Sequence, residues 1–259
     1  MHNTLPPTIA QHIAGYAWEK DSMGMSLNAV YRLTKDSTTL YLKTASPEGA
    51  PELAGEVARI RWLGDHLPVP DVVDFVIDDS GAYLLMTAVP GKMACDPALV
   101  DRVPEVVRAL AEGLHLFHAA PIEGCPFDRR RPVQLEEARQ RVLFGHVDTD
   151  EFEPQWQGRT PESLFDELRN SQPAEEDLVL THGDFCLPNM LIDPDTMAVK
   201  GFIDLGRAGI SDRYTDLALT ARSLGHNWGS EHMPLLFETY GIDPDPAKMH
   251  FYLLLDEFA

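Results

Sequence analysis

The sequence predicts an α+β fold of two lobes: a small mixed β-sheet N-lobe with one helix over residues 1–89, and a larger, mainly helical C-lobe over residues 90–259. Three observations predict it. Short apolar runs broken by turn residues fill the first part. Apolar spacing turns helical after Val89-Pro90-Gly91, which reads as the connector. Two acidic motifs, His182-Gly183-Asp184-Phe185-Cys186-Leu187-Pro188-Asn189 and Asp204-Leu205-Gly206, flank a hairpin pattern in the second part.

Strands are expected over 29–33 and 39–43, around Lys35, Asp36 and Ser37, and over 72–77 and 82–86, around the turn 78–81. Between these hairpins, Leu53, Val57, Ile60 and Leu63 recur at helical spacing within 51–66. Downstream, Val103, Val107, Leu110, Leu114 and Phe117 form an apolar helical stripe. Further helices are expected over 132–146, 161–170, 212–223 and 231–240, and from 246 to the end. The hairpin strands are expected over 190–193 and 198–203, about Pro194, Asp195 and Thr196.

A chain of 259 residues with a net charge of −20 repels nucleic acid and anionic membranes, so neither is an expected partner. No apolar run reaches the roughly 18 residues of a membrane span, and the N-terminal residues lack the pattern of a secretory signal. Three cysteines, odd in number and far apart, suit reduced thiols and a cytoplasmic location. His115 and His118 share a helix face with no acid or cysteine cluster, which favours packing over metal binding. Oligomeric state is left open.

Phosphoryl transfer needs a carboxylate to receive the proton of the attacking hydroxyl. It also needs an amide oxygen and a second carboxylate to hold the magnesium that bridges the nucleotide phosphates. Asp184, Asn189 and Asp204 supply these types in the order H-x-D-x-x-x-x-N, hairpin, D-x-G, with Gly183 where protein kinases have Arg. The fold expected is therefore protein-kinase-like. Lys43 stands at the end of its expected strand, two residues from Tyr41 on the same face. Glu56 falls on the apolar face of the expected helix, where burial demands a cationic partner, and Lys43 is the natural one. No G-x-G-x-x-G loop or Walker A motif occurs, but the turn 22–26 precedes the strand at Ala29, where backbone N–H groups can cradle phosphate.

The segment from His182 to Ser223, with Gly201-Phe202-Ile203-Asp204-Leu205-Gly206-Arg207, Asp212-Arg213-Tyr214-Thr215-Asp216 and the ending Leu254-Leu255-Asp256-Glu257-Phe258-Ala259, resembles the aminoglycoside 3′-phosphotransferases, or kanamycin kinases. The resemblance extends through Gly24-Met25-Ser26, Tyr31-Arg32-Leu33, Tyr41-Leu42-Lys43, Leu116-Phe117-His118 and Cys125-Pro126-Phe127, nearly the whole chain. It implies ATP and Mg²⁺ as cofactors and an aminoglycoside as the partner. Asp184 would orient the sugar hydroxyl and receive its proton, and Asn189 and Asp204 would ligate magnesium. Lys43, paired with Glu56, would meet the α- and β-phosphates. Met25 and Ser26 would cover the phosphates, Tyr41 would stack on adenine, and the backbone from Thr87 to Val89 would meet the purine edge. For the antibiotic it implies Asp150, Glu153, Arg207, Arg222, Asp256, Glu257 and the α-carboxylate of Ala259, though the acid-rich 148–153 permits several alignments. Two departures stand out: relatives end in an aromatic residue where this chain has Ala259, and some place an acid at Ser223.

A polyamine with little apolar surface is best received by carboxylates, each forming charge-assisted hydrogen bonds. The function implied is 3′-phosphorylation of kanamycin- and neomycin-type antibiotics, conferring resistance. A kinase of another small hydroxylated or cationic metabolite is the alternative. A protein kinase is disfavoured because no Ala-Pro-Glu follows Asp204-Leu205-Gly206. A non-catalytic nucleotide-binding module is disfavoured because Lys43, Asp184, Asn189 and Asp204 are all present.

Overall fold

A computed structural model describes residues 5–21 and 29–259. The chain forms two compact units, Met1–Gly91 with Lys200–Gly206, and Lys92–Val199 with Arg207–Ala259. This division returns a segment of the second half to the first unit, which a single boundary after residue 89 does not contain.

The first unit comprises α1 (Pro7–His12), β1 (Ala17–Lys20), β2 (Ala29–Lys35), β3 (Thr38–Ala45), α2 (Ala50–Leu63), β4 (Val72–Asp78) and β5 (Gly81–Thr87). The strands make one antiparallel sheet in the order β1-β2-β3-β5-β4. Alternation along β3 splits its side chains: Leu40 and Leu42 enter a core with Leu33, Tyr83, Leu85, Ile9 and Ile13, so Tyr41 and Lys43 take the other face. The helix α2 buries Leu53, Val57, Ile60 and Leu63 and packs against β4 and β5. The expected single helix gains a companion in α1, too short to show a helical period. Lys43 is not a strand end: β3 continues to Ala45 because Lys43, Thr44 and Ala45 keep their pairing with β5.

The return segment is held at Pro68, whose carbonyl accepts the Phe202 N–H at 3.0 Å. Gly201, at φ 153°, is required there, since a Cβ would collide with the Pro68 carbonyl.

The second unit follows with β6 (Lys92–Met93), a 3₁₀ turn (Pro97–Arg102), α3 (Val103–His118), α4 (Arg131–Phe144), α5 (Pro161–Asn170) and β7 (Leu178–Thr181). Next come the 3₁₀ turn Leu187–Asn189, β8 (Met190–Ile192), β9 (Val199–Phe202) and β10 (Gly209–Asp212). The strand β9 begins in this unit and continues into the return segment. The chain closes with α6 (Tyr214–Trp228), a 3₁₀ turn (Ser230–His232), α7 (Met233–Tyr240) and α8 (Pro246–Asp256). The expected stripe on α3 is buried at every position from Val103 to Phe117. The turn after β8 is closed by Met197 N–H to Asp193 O at 2.8 Å and Asp193 N–H to Ala198 O at 2.9 Å.

Two expected helix starts move. Asp212 ends β10, paired with Leu178 of β7, and its carboxylate accepts the Tyr214 N–H at 2.9 Å, so α6 begins only at Tyr214. Before α7, residues 230–232 tighten into the 3₁₀ turn, and helix proper begins beside Pro234. Gly145, at φ 67°, ends α4 two residues earlier than expected.

Candidate active site

In the first unit the Lys43 ammonium, 7% exposed, donates to Glu56 Oε2 at 2.7 Å and to Asp204 Oδ1 at 3.1 Å. Burial alone would lower the Lys43 pKa; Glu56 and Asp204 outweigh it and hold the group above its ordinary range. Asp204 adopts φ 59°, a left-handed conformation uncommon for a non-glycine residue, and its side chain is half exposed. Strand, helix and Asp-Leu-Gly segment thus converge on one charge. Tyr41 is half-buried on the same face of β3 as Lys43. Thr87 ends β5 with its N–H given to the Asp71 carbonyl at 3.0 Å and its Oγ1 accepting the Asp71 N–H at 2.8 Å. The Val89 side chain packs over Gly201. Met25 and Ser26 lie outside the described residues.

In the second unit the His182–Asn189 loop is tied to α6. Asp216, fully buried, accepts the backbone N–H groups of His182 at 2.8 Å and Gly183 at 2.9 Å. Its Oδ2 also meets His118 Nε2 at 3.1 Å, while His118 Nδ1 pairs with the Tyr240 hydroxyl at 2.7 Å and His115 stacks on the Tyr240 ring. One turn on, Thr220 Oγ1 lies 2.9 Å from the Phe185 carbonyl oxygen. Ser223 Oγ accepts the Leu187 N–H at 3.0 Å. Positions 216, 220 and 223 share a helix face, so a rigid element sets the loop. Gly183, at φ 81°, permits the Arg207 backbone to pass where a Cβ would sit.

Within that loop, Asn189 Nδ2 donates to both the carbonyl and Oδ2 of Asp184, each at 2.9 Å. Cys186 Sγ donates to Asp184 Oδ1 at 3.0 Å. Burial, then the Asp184 charge, pushes the Cys186 thiol well above its ordinary range.

The antibiotic-binding expectations resolve into one charge network and one outlier. Asp256 Oδ1 accepts from Arg207 Nη2 and Oδ2 from Arg222 Nη2, each at 2.6 Å. Burial would raise the Asp256 carboxyl, but Arg207 and Arg222 hold it below its ordinary range. Arg222 Nε lies 3.5 Å from Glu153 Oε1, and Glu257 Oε2 accepts the Glu153 N–H at 3.0 Å. Burial lifts the Glu257 carboxyl to about 7. Ala259 follows on the exposed chain end, its N–H bonded to the Asp256 carbonyl at 2.9 Å. Asp150 is not drawn into this network: it is exposed, with its backbone engaged by Asp148 and Gln157.

Sequence reasoning missed the structural parts played by Asp216, Thr220 and Cys186. Ser223, at a position where the resemblance places an acid in some relatives, is 6% exposed and bound to the loop backbone. The available signal, for Asp216, Thr220 and Ser223, was three polar residues at spacings of four and three on one face of α6.

A strand lysine bridging a helix glutamate and the aspartate of Asp-Leu-Gly, and a His-Gly-Asp loop anchored on α6, define a phosphotransferase of kinase-like fold. Residues 19–252 match the family model described as the phosphotransferase enzyme family, and the chain belongs to that family. It is 40% identical to the aminoglycoside 3′-phosphotransferase of Streptomyces ribosidificus, with 100% of both chains covered. The crystal structure of an aminoglycoside 3′-phosphotransferase of type VIII superposes with a TM-score of 0.88 at 36% identity, covering 97% of each chain. The aminoglycoside phosphotransferase APH(3″)-Id of Streptomyces rimosus, in complex with ADP and streptomycin, gives a TM-score of 0.82 at 30% identity, over 96% of this chain and 95% of that one.

Proposed function

We propose that this enzyme transfers the γ-phosphoryl group of ATP to the 3′-hydroxyl of 2-deoxystreptamine aminoglycosides and thereby confers resistance to kanamycin- and neomycin-type antibiotics. The observation that carries this reading is the presence of Lys43, Glu56, Asp184, Asn189 and Asp204, held as described, in a chain similar from end to end to an aminoglycoside 3′-phosphotransferase. The donor requires a compartment that supplies ATP, so the proposed location is cytoplasmic; among the described residues no helix is long and apolar enough to cross a membrane.

In this reading Asp184 orients the sugar hydroxyl and takes its proton. The transition state of phosphoryl transfer is loose, so alignment and charge neutralisation outweigh base strength. Lys43 binds the α- and β-phosphates. Tyr41 stacks on adenine, and because the Thr87 N–H is already given to Asp71, Thr87 meets the purine through its carbonyl while Val89 offers its N–H. Met25 and Ser26 are proposed to cover the phosphates.

The donor set fits magnesium, which favours hard oxygen ligands. Asp204 offers a half-exposed carboxylate. Asn189, its nitrogen pinned by Asp184, presents Oδ1 as its acceptor. The ion when bound would draw charge from the phosphate oxygens.

For the antibiotic, Glu153 and Glu257 are proposed to receive ammonium groups, with the α-carboxylate of Ala259 and Asp150 as further acids. Asp256 contributes through the two arginines it holds. Arg207 Nε is buried without a hydrogen-bond partner among the described residues.

Incubation with kanamycin A and Mg–ATP, followed by NMR assignment of the phosphorylated carbon, tests the reading. Phosphate on the 3′-oxygen is expected. The likeness to a streptomycin-bound relative favours streptomycin as the second substrate to try. Turnover of streptomycin alone would replace the 3′ assignment, and turnover of neither would point to another small metabolite.

A further inference from the structure

We propose that the Cys186 thiol is a positioning residue for Asp184, donating to Oδ1 while Asn189 donates to Oδ2, so that the carboxylate is clamped in one orientation. The inference rests on the reading of Asp184 as the group that orients the acceptor hydroxyl.

The backbone leaves Cys186 little freedom. Its N–H is bonded to the Asp184 carbonyl at 2.8 Å, and its own carbonyl accepts the Asn189 N–H at 3.0 Å. The next residue, Leu187, is bound by Ser223 of α6. The side chain is therefore delivered to Asp184 Oδ1 by a fixed turn, with Sγ at 3.0 Å. At that separation a thiolate would set two anions in contact in a half-buried place, so the hydrogen lies on sulfur and points at the carboxylate.

A carboxylate bonded on one oxygen only can still pivot about its Cβ–Cγ bond, whose torsion is broad. Donors on both oxygens stop that pivot and direct the remaining lone pairs at one place. Where catalysis is mostly alignment, such a clamp acts on the rate of transfer and leaves substrate binding alone. The sulfur is also a weak donor, so the carboxylate is oriented while keeping most of its capacity to accept a further proton.

The test compares wild type, Cys186→Ala, Cys186→Ser and Asp184→Asn in the full chain, measuring kcat, both KM values with kanamycin A and ATP, and thermal unfolding. Cys186→Ala should lose about tenfold in kcat, within the range that sub-ångström misplacement produces, with both KM values and the melting temperature held. Cys186→Ser, which keeps a donor, should restore kcat. A Cys186→Ala enzyme with wild-type kcat overturns the proposal. So does equal loss of kcat and melting temperature in both Cys186 variants, which would mean packing alone. Should Asp184→Asn turn over normally, the assignment of Asp184 itself fails, a distinct result. Infrared spectra give a readout independent of activity. The S–H stretch assigned by its disappearance in Cys186→Ser should move to the free-thiol position in Asp184→Ala; a band unmoved by that change also overturns the proposal.

Discussion

Lys43 Nζ lies 2.7 Å from Glu56 Oε2, both side chains being less than a tenth exposed. Such a pair costs desolvation on both sides, so its loss from one side leaves an uncompensated buried charge. Glu56→Gln should lower unfolding stability by about 2–3 kcal/mol, below the roughly 3–5 kcal/mol of a fully orphaned partner, because Asp204 still accepts from Lys43. The same variant should raise KM for ATP and leave KM for the antibiotic nearly unchanged. Urea unfolding and steady-state kinetics check both. Unchanged stability would mean that the pair contributes nothing beyond its own desolvation.

Ser223 contributes to the loop through one acceptor. In Ser223→Ala the Leu187 N–H loses its partner in a buried place, which costs about 1–3 kcal/mol. Lower kcat with an unchanged antibiotic KM is expected, since the loop carries Asp184 and Ser223 is bonded to its backbone. A raised antibiotic KM with intact stability would count against this loop-holding role for Ser223.

Asp256 separates two roles by the same logic. As a simple ligand for an ammonium group, its removal would weaken antibiotic binding and spare the fold. Holding Arg207 and Arg222 by one oxygen each, it should when changed to Ala destabilise the protein by about 3–5 kcal/mol. Denaturant melts distinguish the two, and a stable Asp256→Ala protein would count against the clamp.

Glu257 should make stability depend on pH. Its carboxyl titrates near 4.5 in an unperturbed chain and at about 7 when folded, because burial disfavours the charge. Between these values the folded state keeps a proton that the unfolded state has released. Its contribution is therefore full below about 4.5 and is lost as pH rises to about 7. Glu257→Gln should flatten this part of the wild-type profile, as read from urea midpoints across the interval. Parallel profiles for the two proteins would refute the assignment.

The readable parts of this chain share a property. The motif from His182 to Asn189 and the Asp-Leu-Gly segment are separated in sequence by one short hairpin, whose strands local turn residues make legible. Glu56 betrayed itself by interrupting an apolar stripe, and burial of a carboxylate demands a cation. Asp212 misled because strand end and helix entry fall together there, and its carboxylate serves as the stop. Asp150 and Glu153 look equivalent in an acid-rich run, yet only Glu153 reaches Arg222 and Glu257. Nothing local distinguishes them.

From the sequence alone came the two-lobed kinase-like class and the lysine–glutamate pair, because each is encoded by period or spacing over a few residues. Tertiary structure decided what each remaining polar group is bonded to. Ser223 binds a backbone amide, Asp256 is shared between two arginines, and Cys186 points at Asp184. The physical reason is that a hydrogen-bond partner is chosen by proximity in space, and for Ser223 and Asp256 that proximity joins residues that helix packing brings together from distant parts of the chain.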